Sequence, residues 1–268
     1  MTVAEERLPH LHALAGRLAK AWTARGTIDG IAAAERPTSR DEAFAVQDRM
    51  AELIGDARSG WKVGATSLQM RAMDGFDGSV PGRLFAARTY RGMAHRIPSS
   101  EFPNAKMEVE FAFRLNADMP PENAPYTEDD VAGIVTLHPA IEIVGLRYPT
   151  APDLTPPDRL AVIADNGGGF GFIAGDPVPD WQDIDFARHP VSLKINGGAE
   201  AENFLDEMRC NPFHVVADLA NTLAERGLGL KAGEFVTTGA AAVPQDVPPG
   251  SRVVADFGRL GTFEIEFP

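Results

Sequence analysis

The spacing of the apolar residues changes once along the chain, and that change limits the fold more than any other feature. Leu8, Leu11, Leu14, Leu18 and Trp22 recur every three or four positions, which puts them on one stripe of an amphipathic helix that must pack against something, with Gly26 as its expected end. Ser39 followed three residues later by Glu42 is a capping-box pattern. It opens a second helix with Ala43, Val46, Met50 and Leu53 on one face and Gly55 as its stop. After Trp61 glycine and proline become frequent and apolar residues alternate, most clearly over 107–115 and 252–257, the two-residue period of strands. Two more helices interrupt the strands. Thr127 and Asp130 cap one holding Val131, Ile134 and Val135; Asn211 and Pro212 open another with Val215, Val216, Leu219, Ala220 and Leu223 on its face and Gly227 as its end. The proline-rich stretch 148–158 reads as an exposed loop. Runs of strands with segregated helices predict an α+β fold, not the regular alternation of a doubly wound sheet. A helical N-terminal region over 1–58 and a strand-rich body over 59–268 follow from the same change of period.

Charge narrows the partners. With 38 acidic and 25 basic residues the formal net charge is −13, which repels nucleic-acid phosphates and anionic membranes in the absence of a basic cluster. The single cysteine, Cys210, rules out an internal disulfide framework and multi-cysteine metal motifs, and reads as a small apolar filler. Residues 1–25 carry Glu5, Glu6, Arg7 and Lys20 among their apolar positions, so they form neither a signal peptide nor an anchor. No apolar run approaches the ~20 residues of a membrane span. The expectation is a cytoplasmic protein that binds neither nucleic acid nor membrane.

The candidate chemistry lies in carboxylates. In the segment 106–115, read as a strand, Met107, Val109, Phe111, Phe113 and Leu115 face one way, and Glu108, Glu110 and Ala112 the other. A strand with one wet face accounts for two glutamates on its own. A third, Glu142, sits inside the apolar run Ala140-Ile141-Glu142-Ile143-Val144, where an unpaired charge costs several kcal/mol. Three oxygen ligands with no patterned cysteine or histidine suit a hard ion, Mg²⁺ or Mn²⁺, in an open site. Lys62, among the apolar neighbours Trp61 and Val63, either snorkels to the surface or, if desolvated, becomes an acid/base group. Gly169-x-Gly171-x-x-Ala174 matches a dinucleotide fingerprint in form only, because Pro177 and Pro179 leave no helix to follow it.

In combination, Trp61-Lys62-Val63-Gly64-Ala65-Thr66-Ser67, the Glu108-x-Glu110 strand, Ala140-Ile141-Glu142-Ile143, Ala164-Asp165-Asn166-Gly167, Lys231-Ala232-Gly233-Glu234 and Thr237-Thr238-Gly239 resemble the 2-keto-4-pentenoate hydratase group of the fumarylacetoacetate hydrolase superfamily. The resemblance implies a mixed β-sheet roll or barrel of that superfamily's C-terminal-domain type behind the helical N-terminal region. It implies Mg²⁺ or Mn²⁺ on Glu108, Glu110 and Glu142, and proton transfer by Lys62. It also implies substrate contacts from Arg147, Asn166, Thr238 and Gly239. The implied activity is a hydro-lyase that adds water to a 2-hydroxy-2,4-dienoate, through its 2-oxo-3-enoate tautomer, to give a 4-hydroxy-2-oxo acid in meta-cleavage catabolism of aromatic compounds. The implied assembly is a homo-oligomer. The competing activities are decarboxylation of a 2-oxo-3-enedioate and, from another class, a noncatalytic role as binding partner of a related enzyme. Hydrolytic members carry a histidine shortly after the motif that here reads Gly64-Ala65-Thr66-Ser67-Leu68-Gln69-Met70, and this chain lacks it. Many hydratases have an aspartate where this chain has Val80, and Asp77 is the candidate to replace it.

Overall fold

The computed structural model describes residues 3–76, 78–149 and 156–268. The first helix, α1 (Leu8–Ala24), buries Leu11, Leu14, Leu18 and Trp22. It closes at Arg25, whose φ of 54° is left-handed, and the Gly26 amide returns to the Ala21 carbonyl. In α2 (Arg40–Ile54) the Ser39 hydroxyl accepts from the Glu42 amide, and Gly55 ends the helix at φ 66°. The Glu42 carboxylate accepts from the Thr38 amide at 2.7 Å and from Arg7 at 2.8 Å, joining the beginnings of the two helices. Ala43, Val46 and Met50 are buried, but Leu53 is 45% exposed, because the stripe continues with a four-residue step to Ile54 instead.

The strand-rich part forms two sheets. The larger contains β1 (Arg58–Gly64), β2 (Val80–Phe85), β3 (Thr89–Arg91), β5 (Lys106–Leu115), β6 (Val135–Val144), β7 (Gly169–Ala174) and β9 (Phe235–Ala240), in the order β2-β1-β9-β5-β6-β7-β3, with β10 (Gln245–Asp246) also paired to β5. The smaller runs β4-β12-β11-β8, from β4 (Ala94–Arg96), β8 (Ser192–Ile195), β11 (Ser251–Asp256) and β12 (Thr262–Phe267). Parallel β1/β9 and β3/β7 pairs among antiparallel neighbours make the larger sheet mixed. This is the α+β fold that the strand and helix pattern predicts, with the mixed sheet that the resemblance implies.

Shorter helices show where periodicity misleads. Between β1 and β2 lies α3 (Leu68–Asp74), too short to display an apolar period. The α4 helix (Glu128–Ala132) has the full Thr127/Asp130 capping box but stops at Ala132, and Val135 instead begins β6, where it pairs with Leu115. The stretch expected as an exposed loop divides. Tyr148 is buried, residues 150–155 lie outside the described residues, and α5 (Pro156–Ala164) starts on a proline that opens a helix as readily as a loop. The last helix, α6 (Pro212–Ala224), buries all five expected apolar residues.

The alternation of β5 divides two environments. Met107, Val109, Phe111, Phe113 and Leu115 enter the core shared with α6 and the smaller sheet, where Phe113 meets Phe213 at 5.0 Å and Phe111 meets Phe186 at 5.2 Å. A second core joins α1 and α2 to α5 and to Val80 and Phe85 of β2. Leu14, fully buried there, is expected to cost about 2–5 kcal/mol when replaced by alanine, measured by urea unfolding. A change under 0.5 kcal/mol would show that this core contributes little.

Candidate active site

The opposite face of the larger sheet gathers the carboxylates. Register sets Glu108 directly across from Glu142, and Glu110 across from Ala140. Like charges facing each other across a ladder are destabilising, and here the surroundings make the repulsion worse. Glu110 and Glu142 are each 1% exposed. One carboxylate oxygen from each of Glu108, Glu110 and Glu142 lies within 4.8 Å of the others. Burial, then the field of Glu142, pushes Glu108 up to about 7. Burial, then Glu142 and Glu108, holds Glu110 well above the ordinary glutamate value.

These residues fit a divalent cation. Glu110 Oε2 accepts from the Gly239 amide at 2.8 Å, while its Oε1 is buried with no hydrogen-bond donor. Glu142 Oε2 accepts from the Thr237 hydroxyl at 2.9 Å, while its Oε1 faces the Lys62 ammonium at 3.1 Å without hydrogen-bond alignment. The backbone and a hydroxyl thus orient each buried carboxylate and leave one oxygen open to a hard cation. Among the described residues no cysteine or histidine joins this group, which disfavours zinc.

Lys62 is the positive group of the site. It is 4% exposed on β1, and its Nζ donates to the Gly167 carbonyl at 2.8 Å in addition to pairing with Glu142. Burial lowers its proton affinity, but Glu142, Glu108 and Glu110 outweigh burial and hold it above the usual lysine value. Snorkelling to the surface is therefore not what this lysine does. Its place against the neighbouring backbone depends on a glycine. A Cβ on Gly82, the residue paired with Lys62, would lie 2.1 Å from the Asn166 carbonyl oxygen and 3.0 Å from Lys62 Cδ. Gly82→Ala is expected to destabilise the fold by about 3 kcal/mol and to weaken turnover through Lys62; thermal unfolding and a rate measurement check both, and wild-type behaviour in both refutes the close approach.

A cavity of about 340 Å³ opens beside these groups, with Lys62, Glu108, Gly167 and Gly239 in its wall. Of the residues singled out in the sequence, Lys62, Glu108, Glu110, Glu142 and Gly239 come together. Three others stand aside with their polar atoms engaged inside the fold. Arg147 is 1% exposed, pairs with Asp165 at 2.6 Å, donates to Gly169, and stacks on Trp22 and Phe170. The Asn166 side chain accepts from the Arg83 amide and donates to its carbonyl, clamping β2. The Thr238 hydroxyl donates to the Phe111 carbonyl at 2.6 Å. Asp77 lies outside the described residues.

Sequence reasoning missed Thr237. Its hydroxyl accepts from the Val63 amide at 3.2 Å and donates to Glu142. The signal was available: in a strand, Thr237 shares a face with Gly239, and its neighbour Thr238 does not. What was missing was the pairing of Thr237 with Ala112, which turns that face toward the carboxylates. The glycine run rejected as a dinucleotide site forms the β7 strand and the turn before it, with Gly167 at φ 62° presenting the carbonyl that holds Lys62.

The fold is that of a putative fumarylacetoacetate hydrolase family protein from Yersinia pestis CO92, with a TM-score of 0.55 at 14% identity over 79% of this chain and 93% of that one, and it brings together three carboxylates that could hold a metal ion. The chain's similarity is to the 2-keto-4-pentenoate hydratase group, as the motifs imply. No family model matches the chain. A 2-oxo-hept-4-ene-1,7-dioate hydratase from Escherichia coli is 28% identical over 96% of this chain and 98% of its own length. A 2-keto-4-pentenoate hydratase from Paraburkholderia xenovorans is 26% identical over 85% of this chain and 83% of its own. Among solved structures, a 4-oxalocrotonate decarboxylase from Pseudomonas putida G7, complexed with magnesium and adipate, superimposes with a TM-score of 0.85 at 25% identity, covering 100% of this chain and 99% of that one. Among the described residues no helix is long and apolar enough to cross a membrane.

Proposed function

We propose that the protein is a metal-dependent hydratase that converts a 2-hydroxy-2,4-dienoate into a 4-hydroxy-2-oxo acid. One observation carries this reading: three carboxylates gather beside a buried lysine, and that lysine and Glu108 line one cavity. Glu108, Glu110 and Glu142 would hold Mg²⁺ or Mn²⁺. Bound there, the ion would supply positive charge that polarises the carboxylate and C2 oxygen of the substrate. Lys62, enclosed beside these carboxylates, is the group placed to exchange a proton with the substrate. It moves the proton that turns the dienol into the 2-oxo-3-enoate, with Asp77 as the second acid/base group. Water adds at C4, and a proton is delivered to C3. Thr237 and the Gly239 amide keep Glu142 and Glu110 from turning away. The reading carries with it a cytoplasmic location, expected from the sequence, and assembly as a homo-oligomer, implied by the resemblance; sedimentation of the purified protein tests the second.

Decarboxylation of a 2-oxo-3-enedioate is the second reading, favoured by the 0.85 TM-score to the decarboxylase. The same cradle would stabilise the enolate left when carbon dioxide departs. Mass analysis of products from the Mg²⁺-loaded protein separates the two. Gain of water by 2-hydroxypenta-2,4-dienoate supports the hydratase; loss of carbon dioxide from the enedioate without hydration of any dienoate overturns it.

A further inference from the structure

The sheet face that carries the carboxylates continues past them to a second set of charges. On β5 that face runs from Glu110 through Ala112 to Arg114, and on neighbouring β9 from Gly239 through Thr237 to Phe235, with Ala112 opposite Thr237 and Arg114 opposite Phe235. At the rise of a strand, Arg114 stands about 13 Å along β5 from Glu110. Leu84, Phe172 and Ala174 pack with Phe235. Groups from three strands gather around its ring: Arg114 of β5 by register, Arg91 of β3 with its guanidinium 5.1 Å from the ring centre, and His138 of β6 edge-on at 5.2 Å.

These cations have no carboxylate to meet them. The chain holds 38 acidic residues to 25 basic, and other arginines of the larger sheet and its flanks are paired, Arg58 with Glu234 at 2.6 Å and Arg147 with Asp165 at 2.6 Å. Among the described residues, neither the Arg91 nor the Arg114 guanidinium makes an ion pair or a hydrogen bond. Arg91 is exposed, so water serves it. Arg114 is half-buried, and its Nε is enclosed without an acceptor, a charged donor whose lost hydration nothing replaces. His138 is buried and donates from Nδ1 to the Gly175 carbonyl at 2.8 Å. Burial lowers its proton affinity against that hydrogen bond; the fields of Arg114 and Arg91 lower it further, and Asp176, just beyond β7, offsets them only in part. Uncompensated positive charge thus collects at one end of the face in an acidic protein.

We infer that this end of the sheet binds a small oxyanion, the phosphate or carboxylate group of a metabolite, held by the guanidinium groups of Arg91 and Arg114. Phosphate and carboxylate oxygens accept the charge-assisted, forked hydrogen bonds that guanidinium groups donate. Phe235 supplies an apolar floor between the two arginines and His138. The bound anion cancels the field on His138, so the ring takes up a proton more readily in the complex. The site is separate from the three glutamates and stands or falls independently of the hydratase reading.

Calorimetric titration of the full chain with inorganic phosphate and with succinate, at low ionic strength, tests it. The protein is dialysed free of metal and chelator, so that the glutamates repel anions and no ion recruits them. Saturable binding of at least one of the two, with a Kd tighter than about 1 mM, is expected, and the tighter of them names the source. No saturable binding of either overturns the inference. Arg91→Gln, a change at an exposed side chain, should weaken the binding at least tenfold, and Arg114→Gln should do the same. Unchanged affinity in Arg91→Gln places the anion elsewhere and overturns the assignment, whether or not Arg114→Gln folds. By NMR, the His138 ring should titrate at higher pH with the anion bound than without it, and an identical titration in both states also counts against the site.

Discussion

Glu110→Gln is expected to weaken Mg²⁺ binding at least 100-fold while raising the stability of the metal-free protein. The two effects have one cause. Glu110 is fully enclosed, its Oε1 has no donor, and Glu142 and Glu108 repel it, so its ionised form is held at a cost that only a cation offsets. Glutamine keeps an oxygen for the Gly239 amide and turns an NH₂ toward its carboxylate neighbours, which relieves the repulsion and removes the ligand charge. Calorimetric titration with Mg²⁺ and thermal unfolding in chelator measure the pair. Retained binding, or a metal-free variant less stable than wild type, would count against the cradle.

The same carboxylates set a pH dependence. Glu108 holds its proton up to about pH 7 in the folded metal-free state, whereas an unfolded glutamate releases it near the ordinary value of about 4.5. Between those limits the folded state binds more protons than the unfolded one, so stability falls as pH rises through the window. Chelated protein should therefore melt at lower temperature at pH 7 than at pH 5. Saturating Mg²⁺ should flatten or reverse that slope, since the ion competes with the protons it displaces. A slope that Mg²⁺ leaves unchanged would assign the titration to other groups.

Lys62→Met is expected to lower kcat by about 10³-fold, the scale of a lost acid/base group in a buried site. Metal affinity should hold or improve, because the variant removes the one cation that competes for Glu142. Metal-free, this variant should lose about 3–5 kcal/mol, since Glu142 is left enclosed without its partner, and Mg²⁺ should restore much of the loss. That pattern is the opposite of the Glu110→Gln pattern, and rate, binding and melting together distinguish a proton-transfer lysine from a purely structural one. A Lys62→Met enzyme of normal kcat ends its assigned role.

Much of the architecture was legible because it rests on local periods. The stripe of α1, the Ser39 cap and Gly55 stop of α2, the alternation of β5 and the buried face of α6 all follow from residues within a few positions of one another. Errors fell where a distant partner decided. Val135 joins β6 because Leu115 pairs with it, and Leu53 is exposed because the contacts of α2 run to Ile54.

The site shows the same division. Alternation alone put Glu108 and Glu110 on one face, and the apolar run around Glu142 announced a charge in need of compensation. Sequence therefore determined which three carboxylates must be reconciled. It could not determine that Glu142 stands opposite Glu108, that Lys62 reaches both Glu142 and the Gly167 carbonyl, or that Thr237 faces the site and not Thr238. Nor could it show that Arg147 is locked to Asp165 and stacked on Trp22. Those facts depend on the register between strands far apart in sequence and on packing between Trp22 of α1 and Arg147. A residue's face is fixed by its own backbone period, whereas the partner it meets there is fixed only when the sheet closes.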